Sequence, residues 1–440
     1  MGKNFISLAI ESLDPAKIEQ LAIKSGLQTR KPKKISPLTL LNLYCHESIN
    51  KSPSFNDIAG VINDSTGDGP SRQAVCKRVS EKFVSFLKMV LEMALSEKHL
   101  EYLPESMKKN GCFERIVVQD STIVKLPSAL FDEFSGSSNA NTTVCNARIQ
   151  GVYDLINKSF IKFSIDKYSK NDLAAASELE VLTNDLVLRD RGYLKSDEIK
   201  RIMYSNASYI YRHITGTVYR NPETDEIIEL EKVLSKNRVI DMDVCLNDKE
   251  RTPIRIVATP VSEEIANIRR MKAKKRMNGH NPSANLLFLM GWTIFIINLP
   301  RDKFSFKTIL ALYGLRWRIE NIFKTWKSNM SFGIIHNVSA IQLRATLMAR
   351  LITIVIIMRG IYRRCDWIIA QNSKRSLSLA KLMRYIQVRK ERLVEILVGL
   401  VKDSKQAVLP LIKYCSYDMR KKRFNYTQQE EIILDEIFLS

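Results

Sequence analysis

The stretch "FERIVVQDSTIVKLP", Phe113–Pro127, is where the chain first changes from a helical to a strand-like pattern. It contains the β-branched run Ile116, Val117 and Val118, which is typical of a buried strand. The pattern predicts a strand that ends near Asp120, because Asp-Ser-Thr is favourable turn chemistry. The segments that follow decide which kind of sheet this strand belongs to.

Downstream of this strand the pattern alternates between strands and helices. We predict strands at "TVCNARIQGVYDL", "SFIKFSIDKYS", "LVLRDRGY" and "SYIYRHI", and helices at "LAAASELEVLTND" and "KSDEIKRIM". The order strand–strand–strand–helix–strand–helix–strand is that of an α/β sheet. Two acids, Asp120 and Asp190, are placed at strand ends.

The charge of the chain points to a polyanionic partner. Lys and Arg number 68 against 47 acids, a net charge of +21 in 440 residues, while 45% hydrophobic residues allow a packed core. Such a surplus is typical of proteins that bind nucleic acid, the alternative being a merely soluble basic protein. Six of the eight residues from Arg269 to Arg276 are basic, which predicts either a phosphate-contacting segment or a solvated charge run.

Cysteine usage and hydropathy favour a cytoplasmic protein without a membrane partner. The seven cysteines are scattered without CxxC spacing, so no zinc site is expected and a reducing compartment fits. The N-terminus has no apolar run of the kind found in signal peptides. The apolar run Leu351–Met358 is shorter than the roughly 20 residues of a spanning helix and predicts a buried helix segment.

The N-terminal region reads as helical throughout. After "SFNDIAGVINDS" and a Gly/Pro turn comes "SRQAVCKRVSEKFVSFLKMVL", with Ser71 as the expected N-cap. Arg72, Gln73, Lys77 and Arg78 open this second helix, as in a helix-turn-helix that reads DNA. Plain packing of two helices explains the same pattern, and both readings stay open.

The stretch "YGLRWRIENIFKTWK", Tyr313–Lys327, reads as one helix with two distinct faces. One face is apolar, and the other carries Tyr313, Arg316, Glu320, Lys324 and Lys327 at intervals of three or four residues. Ion pairs along a solvated helix would explain Glu320 with Arg316 and Lys324. They would not require Tyr313 or Lys327.

The spacing of Tyr313, Arg316, Glu320 and Lys327 resembles the YREK signature of bacterial transposases of the insertion-sequence-four family. The family consists of DDE enzymes with an RNase H-like core that is interrupted by a β-strand insertion. Asp120 in "VVQDST" and Asp190, which precedes a Gly-aromatic pair in "LRDRGY", match its first two acids, and Glu320 matches the third.

The resemblance implies a fold class and a domain order. We expect an α/β protein with an RNase H-like mixed-sheet core, a β-rich insertion and flanking helical regions. The predicted domains begin with a helical DNA-binding region (1–105). The first part of the core (106–214), the insertion (215–301) and the second part of the core with the YREK helix (302–370) follow. A C-terminal helical region for dimerisation (371–440) ends the chain.

The resemblance also assigns roles to the site residues. Asp120, Asp190 and Glu320 would be catalytic and would hold two Mg²⁺ (or Mn²⁺) ions per active site, since hard cations prefer oxygen ligands. Residues expected to contact DNA are Tyr313, Arg316, Lys327, Lys324, Trp292 and Arg212. Trp292 would stack a flipped base, or else fill the core of a strand.

Each acid has a competing explanation. Asp120 and Asp190 could cap the turns that follow their strands. Asp185 and Asp154 compete for the role of the second acid, although neither precedes a Gly-aromatic step at a strand end.

The predicted function is cut-and-paste DNA transposition by a bacterial protein associated with the nucleoid through DNA. The partners would be double-stranded DNA, as the element's terminal inverted repeats and the target, and a second copy of the chain in a synaptic complex. One alternative is a catalytically inactive DNA-binding inhibitor or regulator of transposition. Another is a basic protein associated with RNA or the ribosome.

Overall fold

The structure is a computed structural model of the 440-residue chain. It describes residues 13–48, 53–96, 112–136, 144–277, 280–336, 338–373, 375–398, 404–418 and 433.

Helices dominate both ends of the chain and strands its middle. The α-helices are α1 Pro15–Lys24, α2 Pro37–Ser48, α3 Phe55–Thr66, α4 Arg72–Arg78, α5 Glu81–Ser96, α6 Asp172–Ala175, α7 Ser196–Tyr204, α8 Leu230–Lys236, α9 Glu263–Arg276, α10 Ala284–Leu289, α11 Phe306–Gly314, α12 Trp317–Asn329, α13 Ala340–Ile356, α14 Arg363–Asn372, α15 Leu379–Val398 and α16 Ser404–Cys415. The strands are β1 Arg115–Lys125, β2 Asn146–Asp154, β3 Ser159–Lys167, β4 Asp185–Arg189, β5 Ser208–Arg212, β6 Tyr219–Arg220, β7 Ile227–Ile228, β8 Ile240–Leu246, β9 Pro253–Pro260 and β10 Trp292–Ile297.

The strands form one mixed sheet of ten strands in the order β3-β2-β1-β4-β5-β10-β9-β8-β6-β7. β1, β4 and β5 are parallel neighbours, whereas β2 pairs with β3 in the antiparallel sense. The order β3-β2-β1-β4-β5 is that of an RNase H-like core, so the predicted fold class is confirmed.

The chain divides into two compact units. The first unit comprises Met1–Lys109, Ser121–Lys170 and Trp317–Glu430, and the second comprises Asn110–Asp120, Asn171–Arg316 and Glu431–Ser440. The predicted domain boundaries stay predictions; the one between residues 105 and 106 lies outside the described residues.

The region predicted as an insertion adds strands to the core sheet. β10 pairs antiparallel with β5, with Phe295 opposite Arg212, and β9 and β8 continue outward from β10. Arg255 on β9 is nearly buried; it binds both carboxylate oxygens of Asp241 at 2.7 Å and the carbonyl of Leu299 at 2.8 Å. A bidentate pair of this kind is geometrically specific, so it fixes the β8–β9 register against the segment that leads to α11.

The first unit packs around an aromatic cluster. Trp326 of α12 is 1% exposed, and its ring centroid lies 4.9 Å from Phe160, 5.3 Å from Phe323 and 5.9 Å from both Phe163 and Phe332. Ile319 and Ile322 are also buried, as the apolar face of the predicted helix requires. These contacts hold one face of α12 against β3, which carries Phe160 and Phe163.

Strand β1 is longer than predicted. It continues past Asp120 to Lys125, because Thr122, Ile123 and Val124 extend the β-branched pattern. Its parallel pairing with β4 nevertheless stops at Gln119 opposite Arg189. Asp120 therefore lies level with the end of β4, although β1 itself continues to Lys125.

The predicted single helix Tyr313–Lys327 is wrong, because the structure breaks it into α11 and α12. Leu315 and Arg316 bond back to Leu312 and Tyr313 in tighter i to i+3 turns at 3.1 Å. Gly314 immediately precedes this break and has low helix propensity. The boundary between the two units falls here, after Arg316.

The second helix of the predicted helix-turn-helix is also shorter. Ser71 caps α4 through Ala74 N–H as predicted, but α4 ends at Arg78, since Val79 leaves the helical region with ψ of 84°. The Arg78 guanidinium donates to the carbonyls of Leu27 and Ile35, both at 3.1 Å. These bonds connect the end of α4 to the segment between α1 and α2. Arg72, Gln73 and Lys77 are exposed, and DNA reading by α4 stays a prediction.

One helical segment within the described residues, Ala340–Asn372, is long and apolar enough to cross a membrane by length and composition. Its most apolar window is 78% buried in the protein, as expected of a core helix. The run Leu351–Met358 lies within it and is buried, as predicted.

Candidate active site at the carboxyl ends of the parallel strands

Asp120 and Asp190 occupy neighbouring positions on two adjacent parallel strands. The last paired residues of β1 and β4 are Gln119 and Arg189, so the two aspartates follow in the same register and on the same face. Neighbouring strands are separated by about 4.8 Å, so the two carboxylates start from adjacent backbone positions. Both residues are half-buried, and the Asp120 side chain is 18% exposed.

Arg212 continues this row onto the third parallel strand. Leu188 of β4 pairs with Ile210 of β5, so Arg212 is in register with Asp190, two residues further on in each strand. Arg212 is half-buried at the end of β5 and lies opposite Phe295 of β10. Two acids and one arginine therefore lie side by side at the carboxyl edge of the sheet.

Tyr313 and Arg316 lie over this row. The Tyr313 ring packs on Phe295 with centroids 5.0 Å apart, and the Arg316 guanidinium lies 5.7 Å from the Tyr313 ring centre. A terminal nitrogen of Arg316 is 3.9 Å from a carboxylate oxygen of Asp120. Burial raises the pKa of Tyr313 to about 12, with Arg316 and Arg212 acting against the shift and Asp190 adding to it.

Trp292 begins β10 at the same edge. β10 runs antiparallel to β5, so its first residue lies beyond the end of β5. The indole is half-buried, 6.4 Å from the Phe288 ring, and Arg269 donates to the Trp292 carbonyl at 2.8 Å. The residue is therefore neither a fully buried core side chain nor an exposed one.

Two residues near the acids were not assigned a role from the sequence, Tyr193 and Asp172. Tyr193 is 1% exposed; burial raises its pKa, and the negative charges of Asp172 and Asp120 raise it further. Its hydroxyl is thus protonated, and it forms a hydrogen bond with Asp172. The Gly-aromatic step after Asp190 was the sequence signal that could have drawn attention to Tyr193.

A buried charge network supports the end of β4. The Arg189 guanidinium is fully buried and donates to Ala176 O at 2.7 Å, to Glu198 at 3.1 Å and to the Tyr211 hydroxyl at 3.2 Å. Burial alone would raise the pKa of Glu198, but hydrogen bonds and charges from Arg201 and Arg189 outweigh it and lower that pKa. The residue immediately before Asp190 is therefore held in one position.

The competing explanations for the acids do not fit the geometry. Asp120 lies within a strand rather than at a turn, and Asp190 makes no side-chain cap to the turn Arg191–Tyr193. Asp185 begins β4, at the other end of the strand, and binds Arg115 Nε at 2.8 Å. Asp154 is buried and accepts from Ile156 N–H at 3.0 Å, which closes the β2–β3 turn.

The remaining predicted site residues belong to α12 in the first unit. Glu320 is half-buried, whereas Lys324 and Lys327 are exposed. The Lys324 ammonium lies 5.6 Å from the centre of the exposed Trp317 ring. The predicted continuous row from Tyr313 to Lys327 is therefore wrong, because Tyr313 lies before the helix break, Arg316 lies within it, and both are buried.

The two aspartates fit a divalent metal ion as a partial ligand set. Mg²⁺ is commonly held by one or two carboxylates together with waters and substrate phosphates. Within the described residues, no group of three or more His, Cys, Asp or Glu side chains lies close enough together to hold a metal ion.

A nearby histidine makes the stability of the sheet sensitive to acid. His213 Nδ1 is 2.6 Å from the Tyr219 hydroxyl, and burial lowers the His213 pKa from 6.5 to about 4. Because the unfolded chain then binds the extra proton more readily, this contribution is complete above pH 6.5 and is lost as pH falls towards 4.

We expect the free energy of unfolding to fall by about 3 kcal/mol between pH 6.5 and 4 through His213 alone. Urea unfolding of wild type and His213→Gln at several pH values measures it. The difference between the two proteins should shrink as the pH falls, and a difference independent of pH would contradict the assignment.

The fold is of the RNase H-like class, with two acids on adjacent strands and a basic side chain over them. The family model described as the transposase DDE domain matches residues 111–358, which is more than half of the chain. The chain belongs to this family and is a DNA transposase.

Curated relatives are transposases of bacterial insertion sequences. The chain is 27% identical over 399 residues to the transposase for insertion sequence element IS231B of Bacillus thuringiensis subsp. berliner, covering 85% of this chain and 83% of that one. It is 24% identical over 375 residues to the IS1151 transposase of Clostridium perfringens, covering 79% and 78%. A cryo-EM structure of the piggyBac transposase synaptic complex with hairpin DNA matches with a TM-score of 0.45 at 10% identity, over 97% of this chain and 88% of that one.

Proposed function

We propose that the protein is a cut-and-paste transposase that cleaves the ends of its element and joins the freed 3′-OH to target DNA. The observation that carries this proposal is the pair Asp120 and Asp190 in register on adjacent strands, with Arg316 3.9 Å from Asp120. Two adjacent carboxylates repel the anionic DNA backbone unless cations are bound between them and it. The arrangement is therefore suited to metal-assisted phosphodiester chemistry.

Asp120 and Asp190 would hold Mg²⁺ or Mn²⁺, with Glu320 of α12 as the proposed third acid, in a site for two ions. Such ions supply an activated oxygen nucleophile and neutralise the charge that develops on the phosphate. The buried Arg189 network would hold the backbone next to Asp190 in place.

The basic and aromatic residues would position the DNA. Arg316 is buried and held by the Tyr313 ring, so it loses little freedom when it binds a phosphate. Arg212, at the edge of the sheet, would contact the same strand. Lys324 and Lys327 would bind phosphates along α12, and Trp292 would stack a base that leaves the duplex.

The other parts of the proposal rest on the basic charge and the family. The N-terminal helices would bind the terminal inverted repeats, using the exposed Arg72, Gln73 and Lys77 of α4. Two copies of the chain would pair the two element ends, in the cytoplasm and at the nucleoid. The alternative is a DNA-binding regulator without catalytic activity.

The test is cleavage of duplexes that end in the element's terminal repeats, with Mg²⁺, with Mn²⁺ and with EDTA. We expect cleavage at the element boundary in either metal and none in EDTA. Tight, repeat-specific binding without cleavage in both metals would favour the DNA-binding regulator. Binding to unrelated RNA as tight as to the repeats would favour a basic protein associated with RNA or the ribosome.

We expect Arg316→Ala to weaken binding to the element end by about 10-fold and to lower the salt slope of log K by about 0.9, equivalent to one phosphate contact. Arg316→Lys should keep the positive charge but lose the planar stacking on Tyr313. We therefore expect it to retain only part of the affinity for the element end. Binding titrations at several salt concentrations in EDTA measure the slope. Arg238→Ala, which removes an exposed arginine between α8 and β8, serves as the comparison, and an unchanged slope for Arg316→Ala would remove the role proposed for it.

A further inference from the structure

A polar cleft of about 510 Å³ lies between α12 and α15 in the first unit. Its principal polar side chains are Arg318, Asn321, Lys324, Ser328, Lys381 and Arg384. None of the described residues that line it is acidic. The cleft therefore combines four positive charges with amide and hydroxyl groups on two helices.

The four cations of the cleft differ in how firmly they are held. Arg318 is 4% exposed and donates to the Tyr362 hydroxyl, so it forms part of the floor. Lys381 donates to Ser416 O and to Asp418, both at 2.9 Å, and is half-buried. Lys324 and Arg384 are exposed at the rim, one on each helix.

The cleft lies on the same helix as Glu320. At 100° per residue, Glu320 and Lys327 lie on one flank of α12, Lys324 and Ser328 in the middle of its exposed face, and Arg318 on the flank that faces the cleft. An α-helix with its side chains is about 10–12 Å across. A DNA strand rises about 3.4 Å per nucleotide, so about three nucleotides separate the two flanks.

We propose that this cleft binds the DNA backbone a few nucleotides from the scissile phosphate, with Lys324 and Arg384 closing on it from opposite rims. The inference rests on the proposed function, since it places the reacting phosphate at Glu320. A phosphodiester fits because it brings negative charge and acceptor oxygens to Lys324 and Arg384 at the rim, whereas Lys381 already pairs with Asp418 beside the cleft. The backbone is also sequence-independent, which matches long, flexible cationic side chains.

The experiment compares wild type, Arg384→Ala, Arg384→Lys and Arg375→Ala in binding to an element-end duplex in EDTA. Arg375 is exposed and does not line the cleft, so its removal changes the net charge equally. We expect Arg384→Ala to raise Kd about 5-fold at 0.15 M salt and to lower the salt slope by about 0.7–0.9, and Arg384→Lys to retain the slope. Arg375→Ala should leave the slope unchanged.

Duplexes with one neutral methylphosphonate at successive positions locate the contact. Neutralising the phosphate that Arg384 binds should weaken DNA binding by wild type about 5-fold. The same duplex should bind Arg384→Ala as tightly as the unmodified duplex does, because the two changes remove the same interaction. Additive effects at every position would overturn the proposal.

Three further outcomes are decisive. If wild type binds the end but Arg384→Ala behaves as Arg375→Ala does, the cleft proposal fails and the proposed function stands. If Arg384→Ala shifts sedimentation from dimer to monomer at an unchanged salt slope, the cleft is a protein interface and the proposal is overturned. If wild type does not distinguish the end from a scrambled duplex, the proposed function fails, and the cleft proposal with it.

Discussion

Replacing Asp120 by Asn should reduce cleavage of the element end by at least about 10³-fold, equivalent to about 4 kcal/mol of transition-state stabilisation. The amide keeps the size of the side chain but removes the charge that would hold a metal ion next to Asp190. DNA binding in EDTA should be retained or tightened, because a negative charge near the phosphates has gone. Asp190→Asn should reduce cleavage to a similar extent. The double variant should lose little further cleavage activity, since both acids would act as one unit.

The control for these variants is Asp197→Asn on α7, in the same unit. Its side chain is 65% exposed and pairs with the nearby Lys195 and Lys200, so cleavage should stay within about twofold of wild type. Cleavage is followed on labelled duplexes in Mg²⁺ and Mn²⁺, and a urea melt confirms folding. Full activity of Asp120→Asn in either metal would refute the site.

The sequence allowed the core of the fold to be predicted because its signals are local. The β-branched run before Asp120 and the alternation of strands and helices to Arg212 depend on neighbouring residues, and every one of those strands is present. The parallel pairing of β4 and β5 follows from the same order, since strands joined through a helix run parallel in such folds.

The register that places Arg212 beside Asp190 could not be predicted, because a shift of one residue depends on tertiary packing. The same holds for the helix break at Leu315 and Arg316, because the hydrophobic periodicity of the sequence continues across it. The YREK spacing therefore predicted Tyr313 and Arg316 as site residues and placed them in one helix with Glu320, whereas the structure separates them from that helix. Tyr193 was missed because the Gly-aromatic step was used only to locate Asp190, while the burial of Tyr193 beside Asp172 depends on tertiary packing.

The placement of Glu320 depends on the other face of its helix. Glu320 precedes Trp326 by six residues on α12. The Trp326 ring makes most of the aromatic contacts of this helix in the first unit, and Phe323 adds its own contact with Phe160 at 6.5 Å. Gly151 on β2 leaves room for that packing, since a Cβ there would lie 3.0 Å from the Phe323 ring. A loss at Trp326 should therefore be felt in stability first and in catalysis through the position of Glu320.

We expect Trp326→Ala to cost about 3–5 kcal/mol of unfolding free energy, because it removes a fully buried indole and leaves a cavity among four phenylalanine rings. Trp326→Phe keeps part of the contacts and should cost roughly half as much. Trp317→Ala on the same helix is the matched comparison: its ring is 53% exposed, so the loss should stay near 0.5 kcal/mol or below. Urea unfolding measures all three. A loss below about 1 kcal/mol for Trp326→Ala would show that this aromatic cluster does not anchor α12, and that Glu320 owes its position to other contacts.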